Sequence, residues 1–125
     1  MNKDSYSVSQ AEGITTVVFQ RNPDSAQLLQ AYEGLAQLED NLLRLWDFRD
    51  VELFVSTAEV RDFAEHANKT GPADARVAIL VASDIAYGAS RILMAYRERD
   101  AVELAVFRDY DKAMDWLKNQ GEHDE

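Results

Sequence analysis

The side chains best able to do chemistry in this sequence fall in three small polar groups, each following an apolar run: Asp47, Arg49 and Asp50; Ser83 and Asp84; Arg108 and Asp109. In open α/β sheets, ligands gather beyond the carboxyl ends of the strands, so the acid, base or nucleophile of an enzyme of this kind is sought there. Asp84 and Asp109 are accounted for as helix caps, a position that Asp favours. Asp47 is less ordinary, because it interrupts an apolar run. A triad would have to recruit His66 or His123. His66 follows Asp62 by four residues, the spacing of a helix-surface contact more often than of two metal ligands, and His123 belongs to the tail. The five glycines, Gly13, Gly34, Gly71, Gly88 and Gly121, are too dispersed for a phosphate-binding loop. With no base and nucleophile in register, the sequence predicts a non-enzymatic domain with no cofactor and no bound metal.

Composition narrows the partners. The 125 residues fit one domain. Hydrophobic residues make up 46% of them and aromatic residues 10%, enough for a packed core. The formal net charge of −10, from 23 acidic against 13 basic residues, disfavours nucleic acid and anionic membrane surfaces. There is no cysteine, so disulfides, thiolate metal sites and thiol nucleophiles are excluded, and a reducing compartment suits the chain. The opening Met1–Tyr6 lacks the apolar stretch of a signal peptide, and no apolar run approaches the roughly 20 residues of a membrane span. The expectation is a soluble, cytoplasmic protein.

Periodicity supplies the elements that must position these residues. Tyr6 and Val8 alternate with serines, Glu12-Gly13 breaks the pattern, and Ile14 to Phe19 is β-branched, which predicts a hairpin. Leu28, Leu29, Tyr32, Leu35 and Ala36 recur at helical spacing in a helix ending near Glu39. Leu42 to Phe48 is a second extended run, broken only by Arg44 and Asp47. Ser56-Thr-Ala-Glu59 has the form of a capping box and opens a helix with Val60, Phe63, Ala64 and Ala67 on one face, stopped by Asn68-Lys-Thr-Gly-Pro72. Val77 to Ala82 reads as a strand covered on both faces. Asp84 opens a helix with Ile85, Ala89, Ile92, Leu93 and Tyr96 inward. Val102 to Phe107 is the last strand, and Asp109 caps a helix with Tyr110, Ala113, Met114 and Leu117 inward. Residues from about 118 to 125 form an acidic tail expected to be flexible. The whole is an α/β domain with a mixed five-stranded sheet and four helices in the order β-β-α-β-α-β-α-β-α. Tyr32, Trp46, Phe63, Tyr96 and Trp116 are assigned to the core, and Arg91, Arg97 and Arg99 to solvated pairing with neighbours such as Glu98 and Asp100.

This order, together with Leu45-Trp-Asp-Phe-Arg-Asp50, Arg76-Val-Ala-Ile-Leu-Val-Ala82, Ala86-Tyr-Gly-Ala-Ser-Arg91 and Val106-Phe-Arg-Asp-Tyr110, resembles the STAS domains of anti-sigma factor antagonists and sulfate transporters, especially bacterial SpoIIAA-like proteins. The likeness runs from about Tyr6 to Leu117. It implies a regulatory, protein-binding module. In the antagonists an Asp-Leu strand end precedes a turn whose Ser is phosphorylated by the partner kinase; Asp47-Phe48 matches the first and Ser56 the second, with Thr57 beside it. Val55 and Ala58 depart from that turn's Asp and Gly, and the capping box alone accounts for Ser56.

Two binding modes follow. A protein partner would meet the loop and helix around Val51, Leu53, Phe54 and Val60, where apolar residues stand in a turn-like stretch. The resemblance also extends to SEC14-type lipid-binding domains, which implies a small-ligand carrier whose groove lies between Asp47, Arg49, Tyr87 and Arg91. Self-association through the hairpin edge or an exposed helix is compatible with either.

Overall fold

A computed structural model of the chain describes residues 5–39, 42–70, 75–97 and 103–118. Strands β1 (Tyr6–Ala11) and β2 (Ile14–Phe19) form the hairpin. Then follow α1 (Ser25–Leu35), β3 (Leu43–Phe48), α2 (Thr57–Thr70), β4 (Arg76–Val81), α3 (Asp84–Tyr96), β5 (Glu103–Phe107) and α4 (Tyr110–Lys118). The sheet runs β1-β2-β3-β4-β5, antiparallel between β1 and β2 and parallel from β2 to β5. The mixed five-stranded architecture read from the sequence is therefore the one observed.

Because every parallel crossover steps to the next strand in the same direction, a constant right-handed sense puts all the crossover helices on one face. Side chains from α1, α2 and α3 accordingly share a core with Val17, Phe19, Trp46, Phe48, Val77, Ile79 and Val81. Among the described residues only α4 covers the opposite face, where Ala113 and Leu117 meet Ile14, Leu45, Ala78 and Leu80. Alternation along each strand sorts residues between the two cores. Phe19 anchors the larger one, its ring stacked at 4.8 Å from Phe48 and 5.9 Å from Trp46.

The hairpin turn has positive φ at both central positions, 57° at Glu12 and 80° at Gly13, the pattern of a turn that matches strand twist. Capping follows the sequence signals. Asp24 and Gln27 form a reciprocal box at α1, Ser56 and Glu59 another at α2, and the Asp109 carboxylate accepts the Lys112 N–H.

Several details differ from the sequence reading. Helix α1 stops at Leu35 rather than near Glu39; the backbone continues as turns, with Gln37 and Leu38 donating to the carbonyls of Gly34 and Leu35. Helix α2 runs through Asn68 to Thr70, so those residues do not stop it. Ser83, not Asp84, caps α3, its hydroxyl accepting the Ala86 N–H. Ile85 and Tyr110, expected inward, are 54% and 42% exposed, because each lies in the first turn of a helix beyond the sheet edge, where no strand covers it. Ala86 and Ser90 take the inward positions on α3. Gly71-Pro72, Arg99, Val102, His123 and the tail from 119 onward lie outside the described residues.

Candidate functional site

Two places gather polar groups, one at the carboxyl ends of the strands and one inside the larger core. At the first, Asp47 is buried on the α4 side of β3. Its carboxylate accepts the Arg49 backbone N–H at 3.0 Å, Nε at 3.1 Å and Nη2 at 2.9 Å. These bonds raise the Arg49 pKa above its ordinary value. The same guanidinium lies 5.2 Å from the centre of the Tyr110 ring. Nearby, Ser83 donates to Glu52 at 2.6 Å, and the Glu52 N–H donates to Asn22 Oδ1 at 2.9 Å. Arg108 pairs with Asp84 at 2.7 Å and covers the Tyr87 ring, while Arg91 donates to the Tyr87 hydroxyl at 3.2 Å.

The four residues expected around one groove are thus divided. Asp47 and Arg49 form one unit facing α4, and Tyr87 and Arg91 form another on α3, which serves the opposite face. Arg49 borders a shallow cleft with Asn22, Asp50, Val51, Glu52, Ala82 and Ser83. Within this cleft Glu52 holds the Ser83 hydroxyl, and that hydroxyl is in turn occupied as the cap of α3, accepting the Ala86 N–H.

The proposed protein-binding residues also separate. Val51, Leu53 and Val60 are 7%, 6% and 8% exposed and belong to the cores, so three of the four do not present a surface. Burial follows from the way the chain folds back from β3 towards α2, laying Val51 and Leu53 against the sheet. Phe54 points away and is 66% exposed. Ser56 and Thr57 are exposed at the start of α2.

The second place is a cavity of ≈ 90 Å³ between the sheet and helices α1 to α3. Its floor is Arg44, Trp46 and Phe48 from β3 with Val77 and Ile79 from β4; its roof is Leu28 and Tyr32 from α1, Val60 and Phe63 from α2, and Ala89, Ser90 and Leu93 from α3. The space exists because α2 packs chiefly on α3 and the buried residues of α3 are Ala86 and Ser90, too short to fill the gap down to the sheet. Tyr32, Trp46 and Phe63 therefore line a void as well as a core.

The cavity has two chemically distinct ends. At the amino end of β3, Arg44 is 3% exposed, with its guanidinium carbon 5.7 Å from the centre of the Tyr32 ring. Arg97, just past α3, lines the same end, and its Nε donates to Asn68 Oδ1 at 3.0 Å. Asn68 is held in turn by donating to the Tyr96 carbonyl at 3.0 Å. Burial pushes the Arg44 pKa down, and the charge of Arg97 acts in the same direction, against an opposing contribution from Tyr32. At the other end lies Glu59. One of its carboxylate oxygens accepts the Ser56 N–H at 2.8 Å, and the other accepts the Ser25 hydroxyl at 3.3 Å, tying the starts of α1 and α2 together.

Neither arginine was singled out by spacing as a site residue. Arg44 carried a usable signal, since a cation in the middle of an apolar strand must find special surroundings. Arg97 carried none, because its sequence neighbours are charged and a solvated role explains it equally well. His66 meets Glu33 of α1 at 3.2 Å rather than Asp62, and among the described residues no cluster of His, Asp or Glu has the arrangement of a metal site. No described helix is long and apolar enough to cross a membrane.

No family model matches the sequence, and no curated protein matches it significantly. Among solved structures, the chain is similar to an uncharacterised protein of the DUF3478 family with a SpoIIAA-like fold, from Shewanella loihica PV-4. The two are 19% identical, the match covers 90% of this chain and 91% of the other, and the TM-score is 0.59. The likeness at that identity is one of fold, and it agrees with the element order and sheet described above: this domain has the SpoIIAA-like fold.

Proposed function

We propose that this domain is a non-enzymatic binding module that takes a slim apolar molecule into the cavity between its sheet and helices α1 to α3. The observation that carries the reading is the cavity itself: ≈ 90 Å³, walled by aliphatic and aromatic side chains from six elements. An engineered cavity of about 150 Å³ in another protein holds a benzene ring, so this narrower space suits a chain better than a ring system. Each methylene taken out of water there is worth about 0.8 kcal/mol. Catalysis is not part of the reading: at the strand ends Asp47 is paired with Arg49 and Asp84 with Arg108.

Native mass spectrometry of the purified protein tests it, with Ala89→Leu as the companion variant whose added carbons fill the cavity. The expected result is a small-molecule adduct, or uptake of added octan-1-ol, that Ala89→Leu lacks. Identical spectra for both proteins after incubation with octan-1-ol would count against the reading.

A second reading is a regulatory protein-docking module. It is favoured by Phe54, a large apolar side chain 66% exposed two residues before the capped Ser56. A phosphate on Ser56 would meet free N–H groups and the positive end of α2. Phe54→Ser would abolish recovery of the partner in a pull-down, and intact mass of protein exposed to host lysate reports any phosphate on Ser56 or Thr57. Undiminished recovery and an unmodified mass would together remove this reading.

A further inference from the structure

We infer that β1 is a dimerisation strand: its outer edge pairs antiparallel with β1 of a second copy of this chain, about a two-fold axis through Val8, and joins the two sheets into one.

The first ground is the phase of the hairpin. The Gln20 N–H donates to the Ser5 carbonyl at 2.9 Å, and the register sets Ser7 against Val18, Ser9 against Thr16 and Ala11 against Ile14. Antiparallel pairs alternate between those that exchange backbone bonds and those that do not, so Ser7, Ser9 and Ala11 direct theirs to β2. The N–H and C=O groups of Tyr6, Val8 and Gln10 therefore point away from the sheet, where β1 is the edge and no described backbone group meets them. These three residues are spaced symmetrically about Val8. A two-fold axis there sets Val8 against its own copy and each Tyr6 against the other chain's Gln10, closing about six hydrogen bonds, two in each pair. An edge that complements itself in this way is satisfied by a second copy of the same surface.

The second ground is what the strand lacks. Natural sheets guard an open edge with charge, proline or a bulge. Tyr6-Ser-Val-Ser-Gln-Ala11 has no charge and no proline, in a chain of net charge −10, and its pairing with β2 is unbroken from end to end. The other edge differs, since β5 opens on Glu103 and is flanked by α3 and α4. Ser7 to Ala11 are all exposed, with Val8 at 40%, so β1 adds little to the core of one chain. Beside its copy, each Val8 covers the other. Two chains that repel through net charge thus meet on a neutral strip, and the contact consumes both β1 edges, which stops assembly at two. A strand edge of 6 residues buries less than the roughly 1,200 Å² of the smaller stable interfaces, so the dimer is reversible, with a dissociation constant on the order of 10–100 µM.

Sedimentation equilibrium of the full chain from about 5 to about 500 µM tests this, beside Val8→Pro and Val8→Lys. Proline removes the outward N–H of Val8, at a position where edge strands accept it, and lysine sets two like charges face to face on the axis. The expected result is a mass that rises from one chain towards two with concentration, and association at least about tenfold weaker in both variants. Circular dichroism of each variant should match the parent; if proline disturbs the hairpin, Val8→Lys decides alone. Added salt should tighten association of the parent by screening its net charge. A parent that stays monomeric throughout overturns the inference and leaves the edge to an extended segment of another protein. A dimer retained in a folded variant, or one that salt weakens, overturns it in favour of a different surface.

Discussion

The guanidinium of Arg76 lies 4.0 Å from the centre of the Trp116 ring and donates two hydrogen bonds, at 3.1 Å and 2.8 Å, to the carbonyl of that same residue. One side chain of β4 thereby fastens α4 to the sheet, and its third partner is Glu103 on β5. The Arg76 side chain is buried and that of Glu103 is half exposed, so their contributions should differ. Arg76→Met is expected to cost about 2 kcal/mol in urea unfolding, the scale of a buried charged hydrogen bond, against less than about 1 kcal/mol for Glu103→Gln. Equal losses would assign the anchoring to the ion pair instead.

Glu12 adopts φ of 57°, a region that a side chain with a Cβ enters at a cost of roughly 1 kcal/mol. Its carboxylate reaches Lys118 at 3.0 Å, and that bond raises the lysine pKa, but both groups are well exposed. Glu12→Asn should therefore raise stability by about 0.5 kcal/mol, since Asn-Gly is the preferred pair for this turn and an exposed ion pair returns little. A lower thermal midpoint would show that the pair outweighs the backbone.

Ser56 and Glu59 satisfy each other's backbone N–H groups at the start of α2. Ser56→Ala should lose about 1 kcal/mol, whereas Ser56→Asp should stay within about 0.5 kcal/mol of the parent, because Asp caps equally well and favours the positive helix end. Thermal unfolding of the two variants distinguishes capping from a requirement for the hydroxyl itself.

Adjacent Leu53 and Phe54 should respond in opposite ways. Leu53→Ala, at a site 6% exposed, should cost 2–4 kcal/mol, roughly the range for a truncated core leucine. Phe54→Ser, at a site 66% exposed, should stay within about 0.5 kcal/mol. Comparable losses in denaturant midpoint would mean that the loop does not turn as described.

Arg44 is the reverse of an ordinary core residue, because burial makes its charged form unfavourable in the folded state. The unfolded chain holds that proton more tightly, so this group makes stability rise with pH, in strongly alkaline solution near the guanidinium's ordinary range. Substitution is the practical probe: Arg44→Met should leave stability unchanged or raise it by about 1 kcal/mol, as replacement of a buried charge by an apolar side chain often does. A loss above about 2 kcal/mol would make the arginine a structural strut.

The element order was legible because nearly every strand and helix carries a local signal: alternation in Tyr6 to Ala11, an unbroken apolar run in Val77 to Val81, Ser-x-x-Glu before α2. Exposure at helix starts was not. Ile85 and Tyr110 have the right type and spacing for a buried stripe, and only the distance of a first turn from the sheet edge leaves them outside. The cavity was illegible for a related reason. Tyr32, Trp46 and Phe63 look like filler when read one element at a time; the void beneath them depends on how high α2 and α3 stand above the sheet, a relation between segments distant in sequence.

The strand order β1-β2-β3-β4-β5 bears on how the protein is made. Every strand pairs with the one synthesised just before it, so a nascent chain leaving the ribosome never holds a slot open for a segment still to come. Such neighbour-by-neighbour assembly keeps contacts local for a parallel sheet, a topology otherwise slow to form and prone to aggregate. Its vulnerable moment comes before the last element of the domain, α4, is in place. Until α4 emerges, the face bearing Ile14, Leu45, Ala78 and Leu80 lacks its helix, and that half of the core is sealed only when α4 docks.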